Sequence, residues 1–153
     1  MYRDRKGIYH KKPDSIIPKK RESAYGIYIK GSKILLVKPS WVNIWELPGG
    51  GRDIGENLFS TLKREFLEET GFEIIDFEKN PIKIINSKFY ADDLDEYFDS
   101  QLSFFRIKRI DENKKLTDNE IVDLQYIPIC ELNKKNMNDI HLEILDLIKK
   151  WMK

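Results

Sequence analysis

Glu65, Glu68 and Glu69 stand at i, i+3 and i+4 in the stretch GGRDIGENLFSTLKREFLEETGF, residues 50–72. Carboxylates at this spacing share one face of a helix and repel one another, so a helix that needs only solubility spreads them among lysines. At about 100° per residue, Leu58, Phe59, Leu62 and Phe66 fill one arc as a buried stripe, and the three glutamates occupy the arc beside it. Placed there they need a cation. A hard, octahedral ion that takes carboxylate oxygen and is completed by phosphate fits best, which means Mg²⁺ or its chemical neighbour Mn²⁺. Such an ion neutralises charge at phosphorus and acidifies a bound water, which attacks in line while a carboxylate accepts its proton.

The elements that must position these groups are legible nearby. Residues 57–70 contain no Gly or Pro and are rich in Leu, Glu, Lys and Arg, which predicts a helix, with Gly71 as its C-terminal stop. Arg64 lies four residues before Glu68, at the spacing of a salt bridge along the helix that fixes the glutamate rotamer. Glu56, at the helix start, is favoured by the helix dipole and is placed to brace the preceding loop. That loop holds Gly49, Gly50 and Gly51 after Leu47-Pro48, where the missing side chains let the backbone approach a ligand. No Lys-Ser or Lys-Thr follows these glycines, which excludes the common phosphate-binding loop.

In the rest of the chain, Tyr25–Ile29 and Lys33–Val37 read as a hairpin about Lys30-Gly31-Ser32. Further strands are expected at 73–77, 82–90, 101–110 and 121–127. A last helix is expected at 138–152, with Ile140, Ile144, Leu147, Ile148 and Trp151 as its core stripe. The chain of 153 residues is 35% charged and 41% apolar with a net charge of +1, values that suit a single globular domain. The charge is uneven: residues 1–21 carry eight Lys or Arg against two acids. This gives a division into a basic arm, 1–21, and a domain, 22–153. The arm offers contact with a nucleotide tail or a nucleic acid by counterion release, or packs on its own acidic domain. No apolar run is long enough to span a membrane and the first residues lack the apolar core of a signal peptide, so the expected location is cytoplasmic.

Gly50, Glu56, Arg64, Glu65, Glu68, Glu69, Gly71 and Phe72 satisfy the pattern G-x5-E-x7-R-E-U-x-E-E-x-G-U, U being apolar. The complete pattern arises by chance on the order of once in ten million chains of this length. It resembles the Nudix hydrolase superfamily, in its MutT-like form. The resemblance implies an α/β/α sandwich with a mixed β-sheet over most of 22–153. It also implies a metal-dependent pyrophosphohydrolase acting on a nucleoside triphosphate or a nucleoside diphosphate linked to another group. The alternatives are a dinucleoside polyphosphate hydrolase, an RNA 5′-end pyrophosphohydrolase, and a sensor that binds a nucleotide without cutting it. Many members are homodimers.

By the same resemblance Gly49 matches a glycine whose carbonyl joins the metal. Glu120, six residues before Tyr126, matches a metal-binding or base glutamate, with Asp118 and Asp123 as competitors. The general base is therefore Glu68 or Glu120. Substrate contacts are expected from Gly50, Gly51 and Lys38, with a base stacking on one of Trp41, Trp45, Phe89, Tyr90, Tyr97 and Phe98. Trp45 and Tyr90 lead that group. The acidic run at 92–99 reads as a solvated loop beside the site. His10 and His141 lack neighbouring ligands and read as surface residues; Cys130, the sole cysteine, reads as a buried thiol.

Overall fold

In the computed structural model, which describes residues 1–112 and 120–150, the acidic segment forms helix α1, Leu58–Thr70. Asn57 caps it, its side chain accepting the backbone N–H of Ser60, an interaction worth about 1 kcal/mol. Gly71 ends it in the left-handed region at φ 74°, with its N–H on the Leu67 carbonyl. The buried face comprises Thr61, Leu62, Phe66 and Thr70. Phe59, expected in that stripe, is 37% exposed and rests edge-on against Phe77 and Phe105 at the rim. Thr61 and Thr70 are buried instead because their hydroxyls bond within the helix, to the carbonyls of Asn57 and Phe66.

The strands are β1 (Tyr2–Arg3), β2 (Tyr9–His10), β3 (Lys19–Ile27), β4 (Ile29–Lys30), β5 (Lys33–Pro39), β6 (Gly49–Gly51), β7 (Glu73–Phe77), β8 (Lys83–Ala91), β9 (Glu96–Asp111) and β10 (Ile121–Pro128). Seven of them make a mixed sheet ordered β2-β1-β8-β9-β3-β6, with β7 on the far part of β9; β10-β5-β4 is a second, antiparallel sheet. Helix α2, Asp139–Lys149, begins at the Asn138 cap.

Side chains alternate along the central strands, so each strand feeds two cores. Phe105, Ala24 and Leu35 meet Leu62 and Phe66 of α1, whereas Phe104, Ile27 and Leu36 meet Ile144, Leu145 and Ile148 of α2. Full burial of Phe66 alone contributes about 1.5–3 kcal/mol of transfer free energy. A side chain at Gly26 would approach Phe66 to 2.8 Å, so this glycine lets α1 lie close on β3. The result is an α/β/α sandwich.

Several expected boundaries move. The Gly31-Ser32 turn does join paired strands, with Lys30 opposite Lys33, but the run 25–29 divides: Tyr25 to Ile27 pair with β9 in the large sheet, and Ile29 joins the small one. β3 and β9 also begin earlier than expected, because Lys19–Glu22 pairs in parallel with Phe98–Gln101, a polar register without apolar alternation. β1, β2 and β6 are too short to carry a periodic signal. In α2, Leu145 is fully buried, and Trp151 and Asp118 lie outside the described residues. Cys130 is exposed rather than buried: the short turn Ile129–Glu131 commits Ile129 to the core and rotates the thiol outward. Among the described residues no helix is long and apolar enough to cross a membrane.

Candidate active site

A cavity of about 450 Å³ lies between the glycine strand β6 and α1. Glu65, Glu68 and Glu69 line it together with Gly49, Gly50 and Gly51, and Glu120 reaches it from the start of β10. Two contacts hold helix and strand together. Glu69 Oε1 accepts the Gly49 N–H at 2.8 Å, and a Cβ at Gly50 would stand 2.6 Å from the Glu65 carboxylate. At Gly49 a Cβ would meet the Ala24 carbonyl oxygen at 2.2 Å, so β6 can pair with β3 only as glycine.

Arg64 is the hub behind this surface and does not line the cavity. Its Nε and Nη2 donate to both oxygens of Glu56, at 2.7 and 2.9 Å, and Nη2 also donates to the Gly51 carbonyl at 3.0 Å. Nη1 donates to Glu65 at 2.9 Å and, more loosely, to Glu68 at 3.3 Å. The expected link to Glu68 is therefore the weakest of the set, and Glu56 is the main partner. Glu56 precedes the cap, where it accepts the Asp53 N–H at 2.8 Å and so braces the loop. Bonds from Arg64, and next from Asp53 N–H, hold its carboxyl down to about 2. The guanidinium is in turn held more firmly protonated by Glu56.

Among the described residues no three side chains already close into a metal-binding cluster; Arg64 donates to Glu65 and the Gly49 N–H to Glu69. The donor set nevertheless fits a hard divalent cation: carboxylate oxygens beside a strand of glycine backbone, with cavity volume left for phosphate.

Three expected substrate contacts are elsewhere. Trp45 is 9% exposed and belongs to the α2 core, and Lys38 Nζ lies 4.4 Å from its ring centroid. Tyr90 donates to Asp95 at 2.8 Å and packs on Tyr97 and His10, away from the cavity. Of the six aromatic candidates, Trp41 and Phe89 are the ones on the cavity wall.

Other wall residues were not anticipated. Arg21 projects from β3 between Gly51 and the rings of Phe89 and Phe98; a Cβ at Gly51 would lie 2.6 Å from its guanidinium. Unlike Arg64, it lines the cavity beside the glycine strand. Glu46 lies deeper, where burial pushes its pKa up and the Asn138 amide donates to it at 3.0 Å. His141 is buried, not superficial: its Nδ1 accepts the Leu47 N–H at 3.0 Å, which fixes the proton on Nε2, and burial pulls its pKa down to about 3. Its spacing of three, four and seven residues from Ile144, Leu145 and Ile148 is the signal that marks it as inward-facing.

The acidic run and the basic arm explain one another. Residues 92–95 form the β8–β9 turn, and the acids around it bind the arm: Asp92 pairs with Arg5, Glu96 with Lys19, and Asp99 accepts the Tyr2 hydroxyl. Tyr2 and Asp4 are 4% and 7% exposed.

The NUDIX domain profile matches residues 20–148. An 8-oxo-dGTP diphosphatase of Buchnera aphidicola subsp. Schizaphis graminum (strain Sg) is 43% identical over 56 residues, 34% of this chain. The chain spans 43% of that relative's length. A MutT NUDIX hydrolase from Burkholderia pseudomallei shares the fold with a TM-score of 0.67 at 16% identity, over 84% of this chain and 97% of that one. A NUDIX hydrolase from Nitrosomonas europaea does so with a TM-score of 0.64 at 19% identity, over 88% and 92%.

Proposed function

Because this chain belongs to the NUDIX domain family, we propose that it hydrolyses a phosphoanhydride bond of a nucleoside triphosphate. The observation that carries the reading is the shared wall of Glu65, Glu68 and Glu69 with the glycine strand, a polyanion site that needs a cation to work. Nudix hydrolases generally use divalent metals. Here Glu65, Glu68 and Glu69, with the Gly49 carbonyl, would hold Mg²⁺ or Mn²⁺, which when bound supplies charge neutralisation at phosphorus and an acidified water.

The chain's own groups do the remaining work. Arg64 keeps Glu65 and Glu68 in their rotamers and, through Gly51 and Glu56, keeps the strand in register with the helix. Arg21, beside Gly51, offers its guanidinium to the terminal phosphates. Glu68, whose side chain is 41% exposed, and Glu120 on the same cavity are the two carboxylates assigned to accept the water's proton. Glu46 and the Asn138 amide, at the buried end, present an acceptor and a donor suited to the edge of a base.

The relative's substrate, 8-oxo-dGTP, is the first to try. The test is release of phosphate and pyrophosphate, with Mg²⁺, from 8-oxo-dGTP, the common nucleoside triphosphates, diadenosine polyphosphates and 5′-triphosphorylated RNA. Fastest turnover of a nucleoside triphosphate supports the reading. Preference for a dinucleoside polyphosphate or an RNA end replaces the substrate class, and binding without turnover makes the protein a sensor.

A further inference from the structure

Residues 1–10 precede the matched family region, yet 3–7 among them form part of the cavity wall. They are a built hairpin. Asp4 Oδ1 accepts the N–H groups of Lys6 and Ile8, both at 2.9 Å, and Oδ2 meets His10 Nε2 at 2.8 Å. Burial alone would push the Asp4 pKa up, but these bonds, led by that from His10, carry it below the ordinary value, so the turn is organised around a carboxylate. β1 docks in parallel on β8, Arg3 opposite Phe89, and the Tyr2 hydroxyl anchors on Asp99 at 2.9 Å.

From this anchor the hairpin crosses the cavity. Arg3 Nη2 reaches Asp139, the residue after Asn138, at 3.0 Å. The Arg5 guanidinium lies 5.4 Å from the Trp41 ring centroid, with Nε 3.2 Å from Asp92. Residues 3–7 thus share one cavity with Glu46, Asn138 and the three glutamates of α1. Of the buried donors on this wall, Trp41 Nε1 makes no hydrogen bond, whereas Arg5 Nε faces Asp92 Oδ1 at 3.2 Å without aligning on it. The buried indole N–H carries a desolvation penalty that an acceptor on a ligand relieves.

We infer that the N-terminal hairpin is a selective cap over the nucleoside end of the site, with Arg5 and Trp41 as specificity residues that favour one nucleotide over two joined nucleosides. The inference rests on the nucleotide hydrolase reading. The acid helix and glycine strand take the phosphates, which leaves the base and sugar to the end where Arg3 crosses to α2. There the stacked guanidinium and indole offer a flat wall, and the indole N–H a free donor, to an acceptor-rich heterocycle. The volume, about 450 Å³, is toward the low part of the range of roughly 300–1,000 Å³ for small-molecule sites, which suits one nucleotide better than two joined nucleosides.

The test compares the full-length protein with Arg5→Ala, Trp41→Phe, Arg3→Ala and Arg3→Lys. It reads kcat and KM with Mg²⁺ for dGTP and diadenosine tetraphosphate, and Kd for a non-hydrolysable dGTP analogue and for inorganic tripolyphosphate. Arg5→Ala and Trp41→Phe should raise KM and Kd for the nucleotide about tenfold and keep kcat within about twofold. Tripolyphosphate binding should stay within about twofold. Arg3→Ala should raise kcat/KM for diadenosine tetraphosphate relative to dGTP by about tenfold, and Arg3→Lys should restore the original ratio. Unchanged nucleotide Kd in folded Arg5→Ala and Trp41→Phe proteins overturns the cap, as does equal weakening of tripolyphosphate, which would make Arg5 a phosphate ligand. If the unmodified protein turns over neither these two substrates nor 8-oxo-dGTP and the other common nucleoside triphosphates, the hydrolase reading fails, and the Kd comparison still decides the cap.

Discussion

Glu69 Oε1 accepts the backbone N–H of Gly49 at 2.8 Å, so the acidic helix is fastened to the glycine strand where the two meet the cavity. A glutamine at 69 keeps an oxygen for this bond and removes the charge. Glu69→Gln should therefore fold with a near-native Tm and lose at least about a hundredfold in kcat, because a metal ligand is gone. Steady-state turnover with Mg²⁺, beside a thermal melt, checks both halves; near-normal turnover in the folded variant would sink the assigned site.

Two adjacent glycines should respond differently to alanine. At Gly50 the new methyl collides with the carboxylate end of the Glu65 side chain, at 2.6 Å, so the carboxylate shifts while the fold survives. At Gly49 it collides with backbone, the Ala24 carbonyl, at 2.2 Å. Gly50→Ala is expected to lose at least about tenfold in kcat with little change in Tm, and Gly49→Ala to lose about 2 kcal/mol or more of stability. Chemical denaturation of both variants separates the cases, and equal stabilities would contradict the account.

The Arg64–Glu56 pair sets an acid-dependent contribution to stability. Glu56 is held down to about 2, so its folded pKa lies below its unfolded one. The stability it contributes is complete above the unfolded carboxylate pKa of about 4.3 and is lost as pH falls through about 2. The stability gap between the native protein and Glu56→Gln should be constant above about pH 5.5 and shrink steadily below it. Urea titrations at several pH values measure the gap, and one that widens on acidification would reverse the assignment.

His141 acts over a different window. Its folded pKa is about 3, far below the ordinary 6.5, so between these values the unfolded chain binds the extra proton. Stability from this group is full above about pH 6.5 and falls toward pH 3, by at most about 1.4 kcal/mol per unit. His141→Gln, which retains an acceptor for the Leu47 N–H, should flatten the stability profile between about pH 6.5 and 4. A variant profile parallel to that of the native protein would show that this imidazole is not the titrating group.

What the sequence by itself determined is local. The limits of α1, the common face of Glu65, Glu68 and Glu69, the Gly71 stop and the Asn138 start of α2 follow from helix periodicity and from caps a few residues away. So does the family, since its pattern lies within one loop and one helix. Strands such as β7 and β10 were also legible, because apolar runs mark them. Tertiary structure decided which side chains from distant elements face one another. Trp45 went to the core while Trp41 reached the cavity, and Glu46 met Asn138 across 92 positions. The basic arm became a wall of the site through the pairing of Arg3 with Phe89 and the bond from Tyr2 to Asp99, 97 residues away. A two-residue strand has no periodicity of its own, and its place is set by free hydrogen-bonding groups and opposite charges on an edge that exists only after the sheet has formed.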